Sequence, residues 1–313
     1  MNNIAIIGAG TMGHSLAQAF AQGGYQVFLN DTSDEVLSKA QTLISSNLDT
    51  LSRAGLFDPA EKATVLEQRI TCTTDLARAV AQADLVIEAV VEVPEVKKEM
   101  FSELDRLAPP EAILSSNTSY LDIFQFVETG RPEKVIITHW FAPPHIVPLV
   151  EIVQGPQTSP ETVATIERIL KGLGKQTIII KKFLPGFIAN RLQAALALEA
   201  YRLIDEGYAT PEDIDIATKA SFGLRMPLLG LIKRADFAGL DLIQQNLKNK
   251  SYSPPPVRGK SDTIDALVSQ GNFGVKTRKG FYDYGDKPVE EILKERDEKL
   301  LKLRKFLLDL GEL

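Results

Sequence analysis

Three glycines and one aspartate carry the spacing that most directly specifies chemistry. Ile4-Ala5-Ile6-Ile7 is a wholly apolar run that ends in Gly8-Ala9-Gly10-Thr11-Met12-Gly13 and enters a helical pattern from Thr11 to Gln22. Apolar run, glycine turn and helix are the three parts of a phosphate-binding βα turn. Gly8 permits the tight turn. Gly10 lets the backbone approach a pyrophosphate with no Cβ in the way, and Gly13 lets the helix pack closely on the strand. Thr11 and Met12 lie where the helix begins, and the free N–H groups there carry partial positive charge toward the phosphates. Asp31 closes a second apolar run, Gln26 to Asn30, about 20 positions further on, as the fingerprint requires. Its carboxylate can accept from both ribose hydroxyls of an adenosine and would repel a 2′-phosphate. The expected cofactor is therefore NAD rather than NADP. The competing reading is a glycine-rich turn that binds nothing.

A nicotinamide enzyme that oxidises an alcohol needs a group to take the hydroxyl proton as hydride leaves carbon. Histidine, with an ordinary pKa near ~6.5, suits that task. The chain has three: His14, His139 and His145. His14 lies just inside the first helix and is expected to be solvated. His145 falls in a loop and is expected to be structural or exposed. His139 follows Val135-Ile136-Ile137-Thr138 and so closes an apolar strand at its C-terminal end, where open α/β sheets place ligands. Pro143-Pro144 turns the chain, and Leu149-Val150-Glu151-Ile152-Val153 returns. Glu151 interrupts that buried-looking strand with a charge, which is costly unless paired. Two strands joined by a tight loop would bring Glu151 onto His139. A carboxylate there fixes the imidazole tautomer and stabilises the imidazolium. The alternative is an edge strand with Glu151 in water.

The elements that must position these residues alternate over the first part of the chain. Strands are expected at 3–7, 26–30, 83–90, 112–114, 134–138, 149–153 and 176–180, and helices at 11–23, 33–53, 94–107 and 160–173. The alternation predicts an α/β fold, a doubly wound Rossmann-type parallel sheet. The long helical pattern 33–53 closes near Gly55, and Asp58-Pro59 starts another, so a helix pair is inserted after the second strand. Strand signals stop near Pro185-Gly186. Helices follow at 187–206, 211–221, 236–249, 261–270 and from Pro288 to Leu310, with a proline-rich loop from Ser251 to Gly259. The expected domains are thus 1–184, which binds the dinucleotide, and 185–313, all-α. Leu293, Leu300, Leu303, Leu307 and Leu310 recur near helical spacing. That stripe either covers the body of its own domain or meets a second copy.

Composition narrows the partners. The chain has 313 residues, a net charge of −6, and ordinary hydrophobic (44%) and charged (24%) contents, which argues against nucleic acid or an anionic membrane surface. The single cysteine, Cys72, leaves no intrachain disulfide and no cysteine-cluster metal site. No apolar run approaches the roughly 20 residues of a membrane span, and the chain enters a strand at once. A cytoplasmic protein acting on a small molecule, with no metal, is expected.

An ordered set of short segments resembles the L-3-hydroxyacyl-CoA dehydrogenase family, which includes 3-hydroxybutyryl-CoA dehydrogenases. The segments are Gly8 to Gly13, Glu88-Ala89-Val90-Val91-Glu92, Ser116-Asn117-Thr118-Ser119, His139-Trp140-Phe141-Ala142-Pro143, Leu149-Val150-Glu151, Pro185 to Arg191 and Gly280-Phe281-Tyr282-Asp283-Tyr284. The resemblance runs nearly end to end. It implies reversible NAD-dependent oxidation of a 3-hydroxyacyl-CoA to the 3-keto form, with His139 as acid/base and Glu151 as its partner. It implies that Ser119 bonds the substrate C3 oxygen near the nicotinamide, and that Asn190 orients the reacting group. Glu92, Lys97 and Lys276 would join the glycines and Asp31 in holding the cofactor, and a homodimer would form through the helical domain. By residue type alone, Ser119 could be an N-cap, Asn190 a polar helix residue, and Lys97 and Lys276 solvated charges. Two departures stand out. Ala142 occupies a position where the family usually has a cofactor-contacting Asn. The inserted helix, which usually carries lysines for CoA, offers only Lys39, Arg53 and Lys62 across 39–62. Dehydrogenases of this fold acting on free hydroxy acids such as gulonate or carnitine are the alternative, and His145 to Leu149 has some of their character. An NAD-binding structural protein without turnover is a third.

Overall fold

A computed structural model describes residues 1–250, 252–255 and 259–311. Part of the expected proline loop (Ser251 and 256–258) and the last two residues of the C-terminal segment lie outside the described residues.

Eight strands form among the described residues, the inner ones covered on both faces, as parallel strands usually are, and the two edge strands partly exposed. The eight are β1 (Asn3–Ile7), β2 (Gln26–Asn30), β3 (Ile70–Thr73), β4 (Leu85–Glu88), β5 (Ile113–Ser116), β6 (Val135–Trp140), β7 (Leu149–Gln154) and β8 (Gln176–Ile180). They form one sheet in the order β3-β2-β1-β4-β5-β6-β7-β8. The first six follow the doubly wound dinucleotide-binding order, with the topological switch between β1 and β4. All neighbouring pairs are parallel except β6 with β7. The connection 141–148 is too short for a crossover helix, so β7 can only return antiparallel.

Side chains alternate between two cores. Ile4 and Ile6 of β1 face one, with Leu16 and Phe20 of α1 (Gly13–Gln22), Ile44 and Leu48 of α2 (Asp34–Arg53) and Ile166 of α5 (Pro160–Gly172). Ala5 and Ile7 face the other, with Val80 of α3 (Leu76–Val80) and Phe101 of α4 (Pro94–Leu107). Ser33 caps α2 by accepting the Val36 N–H. The second member of the inserted pair is short: a 3-10 turn, Pro59–Glu61, capped by Asp58, then one wide helical turn, Thr64–Arg69. β3 and α3 were not expected. Ile70-Thr71-Cys72-Thr73 is an edge strand, too short and too polar to stand out.

The chain divides into two compact units, Met1–Phe187 and Ile188–Leu313. The second holds α6 (Ala189–Asp205), α7 (Pro211–Ala220), α8 (Phe222–Ala238), α9 (Leu240–Lys248), α10 (Asp262–Ser269) and α11 (Val289–Leu310). Most of α8 was not foreseen, because Pro227 lies inside it and Gly230 kinks it with φ of 62°. Strand-like pairing is not wholly absent from this unit: Lys279 bridges both Gly274 and Asp283. Among its described residues only Ser261 and Leu301 are buried. No helix among the described residues is long and apolar enough to cross a membrane.

Candidate active site

The glycine turn separates residues the fold requires from one it does not. A Cβ on Gly8, whose φ is +97°, would lie 2.7 Å from the Ala89 carbonyl oxygen, and one on Gly13 would lie 1.7 Å from that of Gly8. Both are forced by packing. A Cβ on Gly10 would meet nothing within 4 Å. The chain's own packing therefore does not demand glycine there, whereas a pyrophosphate lying against the backbone does. Met12 makes no side-chain cap and the first turn of α1 holds no acid, so its leading N–H groups remain available to an anion. Asp31 stands half-exposed just beyond β2, and its Oδ2 accepts the Ala9 N–H at 2.8 Å. It therefore braces the turn as well as presenting a carboxylate beside it. These residues fit NAD.

His139 and Glu151 are direct register partners across β6 and β7. The hairpin inferred from Pro143-Pro144 puts their side chains on one face, with Nδ1 and Oε2 2.8 Å apart. The Glu151 side chain is 0% exposed and that of His139 4%. An ionised carboxylate only accepts, so Nδ1 carries the proton and Nε2 presents its lone pair. Phe141 and Phe187 flank the imidazole, with ring centroids 4.5 and 5.1 Å away, and restrict water around it. The connecting loop is held from below by Lys175, whose buried ammonium donates to the Pro144 and Val147 carbonyls and lies over the Trp140 ring.

Ser119 follows β5 in a turn fixed by a buried charge network. Glu88, at the end of β4, accepts from Lys97 Nζ at 2.6 Å, from the Val90 N–H at 2.8 Å and from Ser116 Oγ at 2.6 Å. Lys97 also reaches Glu92 Oε2 at 3.3 Å. Glu92 Oε1 accepts from the Thr118 hydroxyl and from the Ser119 and Tyr120 N–H groups. Burial pushes the Glu92 carboxyl upward. The Thr118 hydroxyl, the Lys97 charge and the two N–H groups outweigh it and hold the group below the usual carboxylate range.

The structure thus brings His139 and Glu151 into contact and gathers Ser119, Glu92 and Lys97 in one network. Lys97 is not a solvated charge, being buried between two carboxylates. Asn190 and Lys276 belong to the second unit, on the first turn of α6 and in the short turn Val275–Thr277. Ala142 is exposed and supplies no side-chain polar group. His14 corrects an expectation, because it is buried rather than solvated. Its Nδ1 donates to the Gly10 carbonyl at 2.8 Å. Ser15 Oγ lies 3.1 Å from His14 Nε2 and 3.2 Å from His145 Nδ1. Glu88, the centre of this network, carries a sequence signal of its own. The signal that singled out Glu151, a charge within an apolar strand, was present in Leu85-Val86-Ile87-Glu88 as well.

Residues 3–183 match the family model for the NAD-binding domain of 3-hydroxyacyl-CoA dehydrogenase, and residues 186–284 match that for its C-terminal domain. The chain is 37% identical to a probable 3-hydroxybutyryl-CoA dehydrogenase of Deinococcus radiodurans, over 89% of this chain and 99% of that one. It is 32% identical to 5-formyl-3-hydroxy-2-methylpyridine 4-carboxylate 5-dehydrogenase of Mesorhizobium japonicum, over 98% of both. A crystal structure of a dehydrogenase for that pyridine carboxylic acid, described as an NAD+-dependent dismutase, superposes with a TM-score of 0.87 at 31% identity, covering 98% of each chain.

Proposed function

The chain belongs to the 3-hydroxyacyl-CoA dehydrogenase family of NAD-dependent oxidoreductases, and from that premise we propose that it interconverts a 3-hydroxyacyl-CoA and its 3-keto form. The observation that carries this reading is the buried His139–Glu151 pair at the end of the sheet that also carries the glycine turn. NAD, when bound, supplies the hydride acceptor. His139 Nε2 takes the C3 hydroxyl proton while Nδ1–H stays on Glu151, whose charge stabilises the imidazolium. Ser119 donates to the reacting oxygen, and Asn190 orients the reacting group. Gly8, Gly10, Thr11, Met12, Gly13 and Asp31 hold the adenosine and pyrophosphate. Glu92 and Lys276 contact the remainder, with Lys97 acting through Glu92. In this reading the chain divides into a cofactor domain, 1–184, and a substrate and dimerisation domain, 185–313, that pairs with a second copy, and the compact units Met1–Phe187 and Ile188–Leu313 support a boundary in that stretch.

A second reading, a free hydroxy acid in place of the thioester, is favoured by one local observation. Of the basic residues on the inserted pair, Lys62 is tied to Asp49 at 2.6 Å and Arg53 donates to Thr50 at 3.0 Å, so neither is reserved for CoA phosphates. The resemblance along the whole chain to an enzyme named for a free pyridine carboxylate points the same way.

His139→Ala is expected to lose about 10²- to 10⁴-fold in turnover, the usual contribution of a positioned base, with NADH affinity little changed. Near-wild-type turnover in that variant would remove His139 from the mechanism. NADH absorbance followed side by side with 3-hydroxybutyryl-CoA and with free hydroxy acids decides between the substrates. NADH binding without turnover on any of them would leave a non-catalytic protein.

A further inference from the structure

Backbone pairing between β5 and β6 stops at Ser116↔Ile137, before β6 reaches His139. Ser119 and His139 therefore stand on segments that the sheet no longer holds together. A side chain bridges the gap. Asn117 donates its own N–H to the Glu88 carbonyl at 2.8 Å, continuing the β4 side of the ladder. Its Oδ1 accepts the N–H of Trp140, the residue after His139, at 3.0 Å. One residue thus pins the start of the Ser119 turn to the end of the His139 strand. The hold through Glu92 and Ser116 anchors this turn to β4 and α4, and the Ser115 and Thr138 hydroxyls, 2.8 Å apart, tie β5 to β6 two residues earlier, so the Asn117 bond is the tie to β6 that lies nearer Ser119 in the chain.

We propose that Asn117 is a positioning residue that sets Ser119 and His139 at the separation needed to grip one substrate oxygen. The inference rests on the roles given above to those two residues. Misplacement of a reacting group by about 1 Å costs on the order of 10²-fold in rate, and a side-chain acceptor is the only part of Asn117 that this tie uses. Aspartate presents an oxygen at the same place, whereas alanine presents none.

The test compares Asn117→Ala, Asn117→Asp and His139→Ala with the parent enzyme. Turnover is read on whichever of 3-hydroxybutyryl-CoA or 3-hydroxybutyrate the parent accepts, with NADH affinity by fluorescence titration and thermal unfolding alongside. Asn117→Ala should lose about 10- to 100-fold in kcat while NADH affinity stays within about twofold. Asn117→Asp should return kcat to within about threefold of the parent. A purely structural role would instead lower kcat, NADH affinity and melting temperature together, with no rescue by aspartate, and would overturn the proposal. So would wild-type kcat in Asn117→Ala. An active His139→Ala defeats the His139 reading and this proposal with it. An inactive His139→Ala beside a fully active Asn117→Ala defeats the assignment of Asn117 alone.

Discussion

Asp31 shows how one side chain serves two ends that a single substitution would confuse. Its charge is the feature proposed to discriminate against a 2′-phosphate, and its Oδ2 also holds the Ala9 N–H within the glycine turn. Removing the whole group loosens the turn as it removes the charge. Asp31→Asn separates the two, since the amide oxygen can still accept from Ala9. Asp31→Asn is therefore expected to keep a near-parental melting temperature while its preference for NAD over NADP drops about tenfold or more, the scale of a lost charge-assisted hydrogen bond. Asp31→Ala should weaken both cofactors as well. Paired measurements of kcat/KM for NAD and NADP check this, and an unchanged preference in Asp31→Asn would mean that the ribose is read elsewhere. His139 and Glu151 were legible in the sequence because each breaks an apolar strand with a polar group. Glu88 sends the same signal and was not singled out, because its partner, Lys97, lies on a helix rather than on the next strand.

At the scale of elements, α1 is buried on every side from Gly13 to Ala21. His14 is therefore buried where a helix with one wet face, the ordinary expectation, would leave it solvated. The sheet and the inserted α2 enclose α1, and periodicity along one helix cannot reveal what will cover its far side. The Gly10 carbonyl only accepts, so His14 Nδ1 must donate to it, and the neutral ring then accepts from Ser15 through Nε2. Ser15 in turn meets His145, so the cofactor turn is linked to the loop beyond His139. Burial lowers the His14 pKa below its ordinary value of 6.5, against the opposing effect of its bond to Gly10. The unfolded chain therefore takes up this proton at higher pH than the native chain does. This residue's contribution is intact above about pH 6.5 and declines as pH falls below it. The parent should lose more melting temperature between pH 7 and pH 5 than His14→Asn, which keeps a donor for Gly10. Superimposable profiles would show that His14 does not titrate against folding. α8 was missed for a different reason. Proline and glycine inside a helix read as punctuation, and Gly230, with non-helical φ and ψ, does break the run at a kink, yet helix stands on both sides of it.

The molecule as a whole is unevenly finished. The first unit encloses two cores, one on each face of its sheet. The second, mostly helical, buries only Ser261 and Leu301 among its described residues. Ile232, Leu247 and Leu224 are 81%, 74% and 71% exposed, and Ile216 and Phe237 lie open too. Apolar area left in water forfeits roughly 25 cal/mol per Å², and a helical unit without a core cannot meet the entropy cost of ordering its chain. The proposed dimer answers this directly. A second copy brings the same apolar helices, and an isologous interface of them would resemble a core cut in half, the mark of obligate pairing at roughly 2,000 Å² or more. Folding of this unit should then depend on association. The protein should sediment as a dimer throughout the micromolar range, and its melting temperature should rise with protein concentration. Ile232→Glu with Phe237→Glu, which places charges on two of these exposed apolar positions, should give monomers whose helical content falls while NADH binding by the glycine turn persists. A monomer at every concentration, unfolding cooperatively at a temperature independent of dilution, would show that the helices find their cover elsewhere.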